Sequence, residues 1–148
     1  MIKIGNIFIN PDEVAAMYPS IHTEGKIWIV LKGGRSVWAI VEMETACREL
    51  AAAGVPFPPS SKVETERTTL RLLLENGYSY LARDESGALF ASDGDPSKSR
   101  SGWDFELCRR MALDPDLFDG LVEWGDKEAT DIEMLLEEMN INPEQYEE

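Results

Sequence analysis

The sequence predicts an α+β fold of two small modules, each an antiparallel β-sheet or hairpin with a helix packed on it. Short β-branched and aromatic runs flank glycine-containing turns, which is typical of hairpins. Three segments have the composition or the apolar spacing of helices. A stretch rich in proline and serine, residues 55–61, is the predicted linker between residues 1–54 and residues 62–148.

The first module is predicted to be mostly strand. Isoleucines recur through residues 2–9 and predict one strand that ends at the turn Asn10-Pro11-Asp12. Residues 14–18 predict a second strand, which Pro19 stops. The β-rich runs 26–31 and 36–41 lie on either side of Lys32-Gly33-Gly34-Arg35 and predict a hairpin.

Helices are predicted once in the first module and once at the start of the second. Residues 44–53 have a helical composition, with Thr45 as the N-cap and Gly54 as the stop. Residues 62–76 place three leucines on one side and end before Gly77, another expected stop.

The second module continues with short strands. Residues 78–82 and 88–92, joined by a turn that ends at Gly87, predict a second hairpin. Residues 103–107 and 121–124 predict a third and a fourth strand. Between them, Asp114-Pro115 has the pattern of a cap and a first helical position and predicts a short turn through Phe118.

The last helix has the clearest sequence pattern. Thr130 and Glu133 have the spacing of a capping box. The residues predicted to face the core are Ile132, Leu135, Leu136 and Met139. The residues predicted to face outward are Asp131, Glu133, Glu137 and Glu138. The helix is therefore expected to pack on the sheet and to display carboxylates.

Charge is distributed unevenly along the chain. Residues 1–74 contain eight acidic and eight basic residues, whereas residues 75–148 contain 20 acidic and six basic ones, which is the whole net charge of −14. Residues 114–148 alone contain 13 acidic residues and one base, Lys127, a net charge of −12. This charge argues against direct binding of nucleic acid or of an anionic membrane.

The acidic segment is the predicted partner-binding surface. Duplex DNA carries one charge per roughly 1.7 Å of axis, so these acids match the phosphates of roughly six base pairs. The ten carboxylates predicted to contact a partner are Asp114, Asp116, Asp119, Glu123, Asp126, Glu128, Asp131, Glu133, Glu137 and Glu138. The expected partner is a basic nucleic-acid-binding protein, bound quickly and released by salt. Solubility alone is the other explanation of the same charge.

Catalysis and metal binding have weaker support. Asp93, Asp95, Ser97, Ser99, Ser101 and Asp104 have the oxygen spacing of an EF-hand loop. Lys98 replaces the glycine of that loop and Asp104 is too short for its bidentate glutamate, which favours a solvated turn. The single His22 and the separated Cys47 and Cys108 do not form a zinc or triad pattern. We therefore expect neither an enzyme nor a metal or cofactor site.

The cellular setting follows from absences in the sequence. It contains no apolar run long enough to span a membrane and no signal-peptide pattern, so a cytoplasmic protein with reduced cysteines is expected. Trp28 and Trp38 flank the first hairpin and predict a cross-strand pair, which serves either the core or a partner contact.

Two short patterns resemble small accessory proteins of phages and prophages of Gram-positive bacteria. They are residues 77–84, Gly-Tyr-Ser-Tyr-Leu-Ala-Arg-Asp, and residues 124–128, Trp-Gly-Asp-Lys-Glu, with Trp103 between them. The first module, with residues 10–12 and the Gly33-Gly34 hairpin, is similar to other short phage-borne β-rich proteins. The resemblance implies a bacterial host cell as the setting and no catalytic residue.

Three functions are consistent with these features. The first is a phage-encoded, acidic inhibitor of a host defence nuclease, of the anti-CRISPR type. The resemblance and the charge together favour this function. The second is a phage adaptor or regulator that contacts a protein through the β-rich module and its tryptophans. The third, a calcium-dependent or hydrolytic protein, rests on the residues 93–104 alone.

Overall fold

The computed structural model describes residues 1–20, 23–55, 61–100, 102–106 and 108–142. The predicted linker lies almost wholly outside these residues. His22, Ser101 and Leu107 also lie outside them, as do residues 143–148. The described chain is an α+β fold with antiparallel sheets, as the sequence predicts.

The amino-terminal part alternates strands and turns before its helix. In chain order its elements are β1 (Ile2–Ile4), β2 (Ile7–Ile9), a 3-10 turn (Pro11–Glu13), β3 (Val14–Pro19), β4 (Lys26–Leu31), β5 (Ser36–Ile40) and α1 (Met43–Ala52). Strands β3, β4 and β5 form one antiparallel sheet in that order. The predicted second strand and the predicted Gly33-Gly34 hairpin are confirmed.

The prediction of a single strand over residues 2–9 is wrong. The segment folds back on itself as a hairpin, with Ile4 opposite Ile7. Gly5 makes the turn possible because its φ is +57°, a conformation that glycine adopts without steric cost. A Cβ atom at Gly5 would lie 2.4 Å from the backbone oxygen of Ile40, so the hairpin approaches β5 too closely for any side chain there.

The second part adds a four-stranded sheet between two helices in the sequence. Its elements are α2 (Lys62–Glu75), β6 (Tyr80–Arg83), β7 (Leu89–Ser92), β8 (Ser97–Lys98), β9 (Trp103–Asp104), β10 (Arg110–Leu113), β11 (Thr130–Asp131) and α3 (Ile132–Ile141). The sheet order is β10-β7-β6-β11, and every neighbouring pair is antiparallel. The predicted hairpin over residues 78–92 is confirmed.

Two predicted strands of this part are wrong. In the predicted third strand, the described residues 103–106 yield only the two-residue strand β9, which pairs with β8 outside the main sheet, and Leu107 lies outside the described residues. Residues 121–124 form turns and bends. The outer strands of the sheet are instead β10, which the sequence analysis missed, and β11, which directly precedes α3.

Two of the predicted helix caps are also displaced. Thr45 lies inside α1, and Glu42 holds the N-cap position. Thr130 belongs to β11, and Asp131 caps α3 by accepting the Met134 N–H at 3.1 Å. The predicted stops are confirmed, because Gly54 and Gly77 follow their helices with φ of +84° and +88°.

Apolar side chains form two clusters on opposite faces of the first sheet. One contains Ile27 and Ile29 of β4 together with Leu50 of α1. The other takes in Tyr18 and Trp28 from the same sheet, along with the buried faces of α2, α3 and the second sheet. Because neighbouring residues of a strand point to opposite faces, β4 contributes to both clusters. The two predicted modules therefore meet across a shared apolar layer.

No helix among the described residues has the length and apolar character needed to cross a bilayer.

Candidate partner-binding surface

The acidic segment begins inside the protein. Asp114 follows β10 and opens a turn, in which its Oδ1 accepts the Asp116 N–H at 2.9 Å and its backbone oxygen accepts the Leu117 N–H at 3.1 Å. Asp114 is 1% exposed and Asp116 is 7% exposed. The prediction that these two carboxylates belong to the outer surface is therefore wrong, because both are buried in the turn that follows β10.

Burial also changes the charge of Asp114. The pKa of this carboxyl is raised to about 7: desolvation by burial raises it most, the hydrogen bond from the Asp116 N–H lowers it, and the nearby charge of Asp116 raises it. Its Oδ2 is buried and has no hydrogen-bond partner among the described residues. Near neutral pH the group carries only part of the charge that residue counting assigns to it.

A second buried carboxylate fixes the end of the same turn. Phe118 is fully buried and has a φ of +58°, a left-handed conformation that is strained for a bulky side chain. Its N–H donates a short hydrogen bond to Oε2 of Glu66 on α2, which is also buried. The turn after β10 is thus attached to a helix 52 positions earlier in the sequence.

Arg83 holds the following loop from the other side. Its guanidinium donates to four backbone oxygens, at distances between 2.7 and 2.9 Å, which are those of Gly87, Pro115, Leu117 and Val122. Burial lowers the pKa of Arg83, and the carboxylates of Asp119 and Glu123 raise it most among the nearby charges. These two acids are exposed, but they lie in the field of a cation that offsets part of their charge.

Asp126 and Asp131 are half-buried and serve the backbone. Asp126 Oδ2 accepts the Glu123 N–H at 3.0 Å, and Asp131 caps α3. The loop that contains Asp126 is also held by Lys98, whose Nζ donates to the backbone oxygens of Trp124 and Asp126 and lies 4.3 Å from the centre of the Trp124 ring. Lys98 is therefore engaged with the loop rather than with a carboxylate.

Four of the ten predicted carboxylates are exposed to solvent and have none of these contacts among the described residues. They are Glu128, Glu133, Glu137 and Glu138. Within the part of the chain that the structure describes, no basic side chain forms an ion pair with any of them. Burial of Ile132, Leu135 and Met139 orients α3 so that its three glutamates face outward, as the sequence predicts.

The same side of α3 also has an apolar component that the sequence analysis missed. Met134 is 68% exposed and Ile141 is 66% exposed. Both border a groove of about 590 Å³ that runs between α3 and the chain from Leu121 to Asp131. The signal was present in the sequence, because both residues are large and apolar and lie outside the inward-facing set.

The first module offers a smaller exposed patch. Trp28 and Trp38 are a cross-strand pair, as predicted, and Lys26 Nζ lies 4.7 and 4.8 Å from the two ring centres. Trp28 is buried in the core, whereas Trp38 is 45% exposed. Ile40, two residues further along the edge strand β5, is 54% exposed and shares the Trp38 face.

Several of the residues with the oxygen spacing of an EF-hand loop have other roles. Asp93 Oδ1 accepts the Arg109 N–H at 2.8 Å, and Asp104 Oδ1 accepts the Glu106 N–H at 2.9 Å. Ser97 lies in β8. Among the described residues, no group of three or more His, Cys, Asp or Glu side chains is placed to hold a metal ion, and Cys47 and Cys108 are free thiols.

Comparison with protein-family models, with curated proteins and with solved structures gave no match for this chain.

Proposed function

We propose that this protein is a non-enzymatic binding protein that attaches through α3 and the loop before it to a basic surface of a partner. The observation that carries the proposal is the group of four exposed glutamates, 128, 133, 137 and 138, with no ion pair to any described basic side chain. Carboxylates in this state attract a cationic partner and add to its rate of association.

The partner class that we propose is a nucleic-acid-binding protein of a bacterial host cell, and a CRISPR-type defence nuclease is the specific case. In such proteins a basic channel that normally holds phosphates is available to an acidic competitor. The resemblance of residues 77–84 and 124–128 to phage accessory proteins supports this choice, and it also supports a cytoplasmic site of action.

The described geometry reduces the size of the proposed mimic. Among the described residues, the four open charges correspond to the phosphates of about two base pairs; the roughly six of the sequence count also include Glu144, Glu147 and Glu148, which lie outside those residues. Binding by these four charges alone would be weak at physiological salt. These glutamates therefore steer and orient the partner, and other contacts supply most of the affinity.

The experiment is affinity capture from a bacterial lysate on the immobilised full chain, with identification of the bound proteins. We expect a basic nucleic-acid-binding protein whose capture high salt weakens and which added duplex DNA competes away. A bound protein that added duplex DNA does not displace would contradict the proposed surface, because a phosphate-mimicking contact occupies the same basic channel as the DNA.

The exposed pair Trp38 and Ile40 favours a second candidate function, an adaptor or regulator that binds a protein through the first module. An exposed aromatic side chain beside an exposed aliphatic one is suited to apolar contacts with a partner. The same capture experiment separates the two candidates: replacing Trp38 with serine abolishes capture in this case and leaves it unchanged in the first.

A further inference from the structure

The outward side of α3 combines two chemistries in one stripe. Met134, Glu137, Glu138 and Ile141 follow the spacing i, i+3, i+4 and i+7, which places them on one face of the helix. The two apolar side chains at the ends of the stripe are about two thirds exposed, and the two carboxylates between them are also exposed. This face therefore offers a partner both apolar contacts and carboxylates.

The groove beside this stripe continues both chemistries. Leu121 and Ala129 provide apolar wall on the side opposite α3, and Leu135 lines it from the helix. Glu128, Glu137 and Glu138 also line the groove and form its glutamate rim.

Charge complementarity determines what can fill such a groove. An anionic occupant would be repelled by the rim, and a purely apolar one would leave the carboxylates facing it without solvent or a cation. A flexible cationic chain would satisfy the rim but leave the apolar wall exposed. The occupant that matches both has apolar side chains at helical spacing and basic side chains beside them.

We propose that the groove along α3 binds an amphipathic basic helix of the partner, with its apolar residues seated between Met134, Ile141 and Leu121 and its Lys or Arg side chains on the glutamate rim. This inference rests on the proposed function, since it names the element of the basic partner that makes the contact. It supplies the apolar contacts that four open charges do not provide.

The test uses two synthetic peptides of equal positive charge and equal length, about 18 residues or five helical turns. One carries leucines at i, i+3, i+4 and i+7 with lysines elsewhere, and the other replaces those leucines with serine. We expect the leucine peptide to bind the full chain at least about tenfold more tightly in a fluorescence anisotropy titration, and this difference to persist at high salt.

A double variant and a control locate the contact. Met134→Ser with Ile141→Ser removes the apolar ends of the stripe and should weaken the leucine peptide about tenfold without affecting the serine peptide. The control, Phe8→Ser, changes an apolar residue of the first module that is 69% exposed and should affect neither peptide. Circular dichroism confirms that both variants fold.

Three results would overturn the inference. Equal affinity for both peptides, or no effect of the Met134 and Ile141 changes, would show that the groove is not used, and the charge-based function would stand. A concentration-dependent dimer that these changes abolish, without peptide binding, would show that a second copy fills the groove. Reversal of Glu133, Glu137 and Glu138 to lysine separates the two claims. If the reversal weakens both peptides but the wild-type chain does not prefer the leucine peptide, the inference alone fails; if the reversed variant binds both peptides unchanged, the proposed function fails and the inference with it.

Discussion

Two groups of carboxylates lie within about 25 residues of one another and have opposite physical roles. Asp114 and Asp116 are buried in a turn, and Asp114 has its pKa raised to about 7. Glu137 and Glu138 are exposed on α3. The sequence assigns the same formal charge to each. The net charge of a segment therefore indicates its surface charge only when its buried carboxylates are counted separately from its exposed ones.

The buried group depends on Arg83, and removing that side chain should have the largest effect on the fold. Arg83→Met deletes a cation that donates to four backbone oxygens, so we expect a loss of about 3–5 kcal/mol in the free energy of unfolding, measured by urea titration. The control is Arg100→Met, an exposed arginine, which should change stability by less than about 0.5 kcal/mol. Equal effects of the two changes would contradict the proposed attachment of the loop.

Asp114 should give the protein a pH dependence that an exposed carboxylate does not. Because its pKa is raised on folding, its contribution to stability is complete below about pH 4 and is lost as the pH rises towards 7. The wild-type protein loses this contribution between pH 5 and pH 8, whereas the Asp114→Asn variant does not. The free energy of unfolding of the variant minus that of the wild type should therefore rise by about 2 kcal/mol over this range. Asp119→Asn, an exposed match, should show a much smaller change, and identical curves for the two variants would contradict the assignment.

Glu66 tests how firmly the turn is held at Phe118. Glu66→Leu leaves the buried Phe118 N–H without this acceptor, and we expect a loss of about 2 kcal/mol in urea unfolding. Glu64→Leu changes an exposed acid two positions earlier in α2 and should cost less than about 1 kcal/mol. A larger cost at Glu64 than at Glu66 would contradict the role of the buried carboxylate.

The exposed group should matter least for folding. Lysine at Glu133 loses a favourable interaction with the amino terminus of α3, whereas lysines at Glu137 and Glu138 gain one near its carboxyl terminus. We expect the triple change to lysine to alter the free energy of unfolding by less than about 1 kcal/mol. A loss of several kcal/mol in the free energy of unfolding would show that these glutamates stabilise the fold and would contradict their role in binding a partner.

The sequence predicted the features that depend on neighbouring residues in the chain. The β4–β5 hairpin follows from Gly33-Gly34 between β-rich runs, and the buried side of α3 follows from the spacing of Ile132, Leu135 and Met139. The burial of Asp114 and the turn structure of residues 121–124 could not be predicted in this way. Both depend on contacts of this loop with Arg83 and, through Phe118, with Glu66. Short sequence windows contain no information about these distant neighbours.

The same reasoning explains what was found and what was missed on the candidate surface. The three outward glutamates of α3 were predicted because helical periodicity alone places them. The groove was missed because one wall, around Leu121 and Ala129, comes from a loop whose path only the tertiary fold defines. Met134 and Ile141 become meaningful as a pair only once that wall is known.

The most direct test of the central claim compares two charge reversals in the capture experiment. One variant changes Glu133, Glu137 and Glu138 to lysine, and the other makes the same change in charge at the exposed acids Glu24, Glu44 and Glu49 of the first module. We predict that the first variant loses the basic partner and that the second retains most of it, with both folded. Equal retention by the two variants, or loss in the second alone, would contradict a partner-binding surface on α3.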